Sequence, residues 1–222
     1  MTGASAVAIR DAASRRRIRF LMHFTQAANI SSIVRHGFLS RHAMSEREID
    51  GYASARRRID QRDDAVSVSV ASFNPVMFAS KRTAAAGAAW VVLLLEPSIL
   101  WTHRCRYLPR NAASREVINH RGRMDGPWAF ERLFSDEFRH HRFGGTDYRS
   151  ETGLPDCLPT RPDAEVQVFD PVAPEAIIHA WTDRMTVGLA VQEAMNSLPG
   201  EERDVTVGEF APRFSNGYSW WG

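Results

Sequence analysis

The chain has 222 residues, 44% of them hydrophobic and 24% charged, with a formal net charge of only +2, a balance that marks a globular protein with one substantial core. No apolar run approaches the about 18 residues of a membrane helix, and residues 1–20 lack the charged start, apolar stretch and cleavage site of a secretory signal. Two cysteines, Cys105 and Cys157, are too few for a disulfide framework and too distant for a Cys-x-x-Cys site, and His103 with Cys105 finds no matching ligand pair for zinc.

These bounds predict a cytoplasmic protein with no membrane partner and no metal. Of 28 basic side chains only Lys81 is lysine. A coding bias accounts for that, and so does phosphate recognition by guanidinium groups; composition does not choose.

Residues 1–17, rich in Ala, Ser and Arg, read as a loose terminus with a solvated Arg15-Arg16-Arg17 cluster. The fold begins at Ile18. In 18-IRFLMHFT-25 alternation predicts a strand ending at His23, followed by a helix over 26-QAANISSIVRH-36 that Thr25 caps and Gly37 stops. An Arg-dense, weakly amphipathic segment over 45–62 predicts a surface helix above a cleft. Alternation in 65-AVSVSVASFNP-75 sets Val66, Val68 and Val70 against Ser67 and Ser69, as in a strand with one face in the core. The run 89-AWVVLLLE-96 is a core strand. Residues 107–164 form a loop-rich insertion in which 127-PWAFERLF-134 alone has a helical pattern opened by Pro127. Strands near Glu165 and over 176–181 follow, then a helix near 183–198 and an aromatic tail over 210–222. Strands and helices do not alternate regularly, so the class is α+β, with 18–222 as a single domain. G-x-G-x-x-G after a strand and G-x-x-x-x-G-K are both missing, which removes the two common nucleotide-binding scaffolds.

In 164-AEVQVF-169, period two puts Glu165, Gln167 and Phe169 opposite Ala164, Val166 and Val168. A half-exposed strand turns such residues to water; a rigidly held carboxylate at a cleft is the functional alternative. His23, Thr25 and Asn29 gather at the start of the first helix, where backbone N–H groups are free. Arg56, Arg57 and Arg58 read either as a solvated face or as an anion contact.

The ordered set His23, Thr25, Asn29, Ile30, Ile33, Gly37, Leu39, Ser40, then an Arg-bearing segment, Phe73-Asn74-Pro75 with Met77, and finally Ala164-Glu165-Val166 resembles the DarT family of DNA ADP-ribosyltransferase toxins. It spans about residues 18–180. Two positions depart from the commoner pattern: Val76-Met77 follows the F-N-P block directly, and Ser72 stands where an aromatic is usual.

The resemblance implies a split β-sandwich that holds NAD as co-substrate between two small sheets, with peripheral helices. It implies NAD contacts for His23, Thr25 and Asn29, a nicotinamide and ribose wall from Phe73 and Met77, Glu165 as the catalytic glutamate, and Arg58 as the catalytic arginine with Arg57 and Arg62 as rivals. Its acceptor would be a thymine or guanine base of single-stranded DNA, reached through the 107–164 insertion, with Arg123 and Arg161 on phosphates and Trp128 or Phe130 available for stacking. A toxin of this kind implies an antitoxin ADP-ribosyl hydrolase of macrodomain or similar type. Transfer to RNA, protein or a small molecule, and a silent nucleotide-binding module, are the alternatives.

Overall fold

The computed structural model describes residues 2–52, 59–139 and 146–210. Arg56, Arg57, Arg58 and the aromatic tail beyond Phe210 lie outside the described residues.

The terminus expected to be loose is a helix, α1 (Gly3–Arg15), capped by Thr2, whose hydroxyl accepts from Ser5 N. Ile9, Ala12 and Ala13, at helical spacing, are buried. Nor is the arginine cluster only solvated. Arg16 bonds Glu131 at 2.7 Å and lies 4.1 Å over the Phe134 ring.

Strand β1 (Leu21–Gln26) runs three residues past the His23 end expected from alternation. Helix α2 (Ile30–His36) follows a 3-10 turn at Ala27–Asn29. It stops at Gly37, as predicted, and for two reasons. Gly37 has φ 75°, in the left-handed region, and a Cβ there would meet Val172 O at 2.3 Å. That close approach lets Phe38 and Val172 exchange both main-chain hydrogen bonds, at 2.8 and 3.1 Å.

Of the helix expected over 45–62, the described residues hold only the end of α3 (Arg41–Glu46), which Ser40 caps; residues 53–58 lie outside the described residues. With no apolar stripe to bury, nothing extends α3 past the first turns. Next come β2 (Val66–Val70), α4 (Pro75–Ala84), β3 (Trp90–Leu95), α5 (Ile99–Thr102) and β4 (Cys105–Leu108). The F-N-P block is a helix start: Asn74 accepts from Met77 N at 3.0 Å with Pro75 in the first turn. The insertion carries more structure than its composition suggests. It contains α6 (Arg115–Ile118), α7 (Gly126–Arg132), the hairpin β5 (Glu137–Arg139) with β6 (Thr146–Tyr148), and α8 (Arg149–Thr152). The chain then returns through β7 (Glu165–Val168), β8 (Ile177–Thr182), α9 (Met185–Asn196) and β9 (Val205–Val207).

Seven strands form one mixed sheet in the order β4-β7-β2-β1-β3-β8-β9. Neighbours are antiparallel except β8 and β9. β3, an interior strand of the sheet, is buried along its whole length, as its uninterrupted apolar run requires. The join between β1 and β2 is short. Only Leu21 with Val70 and Met22 with Ser69 pair there, whereas β1 stays in register with β3 from Leu21 to Gln26. Beyond Met22, β1 belongs with β3 and β2 with β7. Behind the join, Phe24, Phe73, Phe78, Trp90, Trp181 and Phe210 pack edge to face or tilted, with centroids 4.9–6.3 Å apart. No described helix is long and apolar enough to cross a membrane.

Candidate active site

Where the β1–β2 ladder stops, a cavity of about 760 Å³ opens, lined by both strands, α2, α3, the 49–52 and 59–60 segments, α4 and the turn after β4. That volume lies within the range of ligand clefts. His23, Thr25, Asn29, Met77 and Glu165 all line it.

His23 sits at the end of the ladder, and its ring takes over where main-chain pairing fails. Nδ1 is 2.9 Å from Ser67 O. A carbonyl oxygen can only accept, so Nδ1 carries the proton and Nε2 keeps its lone pair. Burial pulls the His23 pKa below its ordinary value of 6.5, against the opposing pull of the Ser67 bond. The ring is therefore neutral at pH 7.

Glu165 opens β7 and is 7% exposed, so the water-facing alternative fails. Ser67 Oγ donates to its Oε1 at 2.5 Å, and Asn111 Nδ2 and Ala112 N donate to its Oε2, each at 3.1 Å. Three donors on two oxygens is the environment of an ionised carboxylate, which can only accept. Gln167, two residues on, is fully buried. It donates to Asp60 at 2.6 Å and accepts from Arg106 at 3.3 Å, so a cleft-wall carboxylate is anchored through β7.

Both ends of the Asn29 side chain are engaged. Nδ2 donates to Thr25 Oγ1 at 2.9 Å and Tyr52 O at 3.0 Å, while Oδ1 accepts from Tyr52 N at 2.8 Å. It pins the 49–52 wall to α2, and any ligand contact it makes is added to that duty. Arg41 and Lys81 bring two cations into the same wall. Burial and the Arg41 charge hold the Lys81 pKa below its usual range.

Phe73 is not in the wall. It is 1% exposed and packs 4.9 Å from Phe78 behind it, because the cap at Asn74 turns Met77 toward the cleft and leaves Phe73 in the core. Arg58 and Arg57 lie outside the described residues, although Ile59 and Asp60, which follow them, line the cleft. Arg62 is turned aside, 5.0 Å over the Phe169 ring and 3.6 Å from Asp64. Arg123 and Trp128 lie away from the cleft wall, at the surface. Arg123 pairs with Asp125 at 2.7 Å, and Trp128, 64% exposed, stacks under Arg132 at 5.0 Å. Arg161 pairs with Asp163 at 3.2 Å, and Asp163 also holds Arg110 at 2.9 Å. Burial alone would raise the Asp163 pKa; its Arg110 and Arg161 partners outweigh that and lower it.

Ser67, Asn111, Asp60 and Tyr52 are site residues that the sequence did not single out. Only Ser67 left a signal, as part of the polar face of β2.

Three solved structures share this architecture. They are Thermus sp. 2.9 DarT in complex with carba-NAD+ (14% identity, TM-score 0.52, covering 85% of this chain and 95% of that one), the same DarT in complex with ADP-ribosylated ssDNA (13%, 0.51, 86% and 94%), and Thermosipho africanus DarTG in complex with ADP-ribose (15%, 0.51, 87% and 52%). This chain thus spans about half, 52%, of the Thermosipho africanus chain. At such identities the likeness defines the fold alone, the one these DarT structures have. The sequence goes further. Residues 22–209 match the family described as "DarT: ssDNA thymidine ADP-ribosyltransferase", and the chain belongs to that family of enzymes, which use NAD as the ADP-ribose donor. None of the curated proteins matches it. Of the two bases left open above, the family description names thymidine.

Proposed function

We propose that Glu165 is the catalytic carboxylate of an NAD-dependent transfer of ADP-ribose to thymidine in single-stranded DNA, with NAD seated where β1 and β2 part as the two halves of a split β-sandwich. The observation that carries this reading is the burial of Glu165 in a cleft wall, with both oxygens fixed by Ser67, Asn111 and Ala112. Cleavage of the nicotinamide N-glycosidic bond leaves positive charge on the ribose carbon and ring oxygen. A carboxylate already oriented stabilises that charge more than it stabilises neutral bound ribose, which is what lowers a barrier.

His23 has an acceptor, Nε2, free of the Ser67 bond and suited to a ribose hydroxyl. Thr25 and Met77 supply neighbouring polar and apolar wall. Asn29 acts on NAD through the wall it pins and through whatever capacity remains on its oxygen. Phe73 acts indirectly, by backing that wall. Arg58 is the arginine for the pyrophosphate or for the incoming base, whose ring N–H it would acidify as a fixed cation. Its support is that Ile59 and Asp60 line the cleft while Arg62 is committed to Phe169 and Asp64.

In thymidine N1 already holds the sugar, so N3 bears the one ring N–H. Attack by N3 on the ribose carbon forms the new C–N bond, nicotinamide departs with the old bonding pair, and the N3 proton goes to solvent or a basic group. A base inside a duplex cannot reach this site, hence the single strand. Arg161, Arg123 and Trp128 in the insertion are assigned to the strand's phosphates and bases. A cell that contains such an enzyme needs an antitoxin, and the chemistry that reverses the product is hydrolysis of the base–ribose bond by an ADP-ribosyl hydrolase.

The test is Glu165→Ala. Transfer to a thymidine-containing oligonucleotide should fall by about 10²–10³ or more, equivalent to roughly 3 to 4 kcal/mol of barrier. Wild-type rates in that variant would remove Glu165 from the chemistry.

A further inference from the structure

Asn111 lies in the turn between β4 and α6, beside Glu165, and its side chain is committed on both ends. Nδ2 donates to Glu165 Oε2 at 3.1 Å and approaches Met77 Sδ at 3.6 Å, while Oδ1 accepts from Ala113 N at 3.0 Å. The turn itself is fixed below by a small apolar cluster of Leu108, Ala112, Val117 and Met124. At its root, Asp163 accepts from Arg110 Nε at 2.9 Å and from Asn111 N at 3.5 Å. From the neighbouring strand β2, Ser67 holds the other oxygen, Oε1. The two oxygens of one carboxylate are thus held by two elements far apart in sequence.

We propose that Asn111 and Ser67 are positioning residues for Glu165, and that through Asn111 the 109–114 turn, the first part of the insertion assigned to DNA, sets where the carboxylate stands. This rests on Glu165 acting as proposed above. A glutamate has three side-chain torsions, and burial without directed donors does not select one rotamer. Directed donors on both oxygens, Ser67 Oγ from β2 and Asn111 Nδ2 with Ala112 N from the turn, do. A misplacement of about 1 Å costs on the order of 10²-fold in rate, and it does so without altering the contacts that bind NAD.

The test is steady-state kinetics of NAD cleavage and of transfer for Asn111→Ala, Asn111→Asp, Ser67→Ala and Ser67→Thr, with Glu165→Ala beside them. Asn111→Ala and Ser67→Ala should lower kcat about 10- to 100-fold while KM for NAD stays within about twofold, and Ser67→Thr, which keeps the hydroxyl, should recover most of the loss. Asn111→Asp sets a second carboxylate against Glu165 and should move the acid limb of the pH–rate profile upward by about one pH unit or more. The neighbouring titratable groups, His23, Asp60 and Lys81 in the wall and Arg110, Arg161 and Asp163 at the turn's root, are the same in both proteins. If Asn111→Ala fails to fold, the near-isosteric Asn111→Asp decides by its profile. Wild-type kcat in the Ala variants, or an unmoved acid limb in Asn111→Asp, while Glu165→Ala is inactive, would overturn the positioning role and leave the Glu165 assignment standing. An active Glu165→Ala would overturn both.

Discussion

Ser67 joins the two side chains to which the proposed chemistry is assigned. Its carbonyl accepts a hydrogen bond from His23 Nδ1 and its hydroxyl donates to Glu165, so one residue of β2 fixes a neutral imidazole and a carboxylate. The state of His23 also sets a stability dependence on pH. Its folded pKa lies below 6.5, chiefly through burial, so between the two values the unfolded chain binds more protons than the folded one. Stability from this residue is complete above about pH 6.5, the unfolded value, and falls as pH drops through it. His179, whose pKa is also lowered by burial against a nearby Asp204, adds to the same window. Urea denaturation of wild type and His23→Gln from pH 7.5 to 5.5 should show a shallower loss in the variant, the difference reaching at most about 1.4 kcal/mol per pH unit. Parallel curves would contradict a neutral, buried His23. Asp163 and Asp170, whose pKa values are lowered by their arginine partners, lose their contributions only below about pH 4 and do not intrude. Little of this was legible residue by residue. Alternation in VSVSV put Ser67 on a polar face, but the carboxylate it meets is 98 positions away, and Asn111 is one asparagine in a loop-rich stretch whose partner is 54 positions on.

Elements were read best where periodicity is strong and worst where it is short. The β3 run, the α2 stop at Gly37 and the strand at Glu165 appear as expected, because an apolar run, a left-handed glycine and an alternating segment each have one physical solution. In the described part of the helix expected over 45–62, α3 ends at Glu46 for lack of a stripe, and α1 was missed because its stripe is only Ile9, Ala12 and Ala13, two of them alanines. Those three still carry α1. Ile9 is wholly buried against the body, so Ile9→Ala should destabilise the protein by about 2–5 kcal/mol in chemical denaturation. A loss below about 0.5 kcal/mol, typical of surface changes, would mean that α1 does not pack as described. The Phe73-Asn74-Pro75 block shows the two scales meeting: the residues that carry the family resemblance are a helix cap, and the cap is what separates core Phe73 from cleft-lining Met77.

At the scale of the whole molecule, one sheet of seven described strands is closed on one side of the β1–β2 join and open on the other, and the opening is the cleft proposed for NAD. Pattern reading yields strands but not where two of them part, because that depends on His23 displacing a ladder hydrogen bond with its own ring. Family membership and cleft chemistry together predict a definite product. The most direct measurement is mass spectrometry of single-stranded oligonucleotides incubated with the protein and NAD, comparing strands with thymidine, strands without it, and the thymidine strand annealed to its complement. The expected result is the mass of one ADP-ribose on the thymidine strand, with nicotinamide released in equal amount, and little or none on the other two. Unmodified thymidine strands across all sequence contexts, or equal modification of strands that lack thymidine, would contradict it.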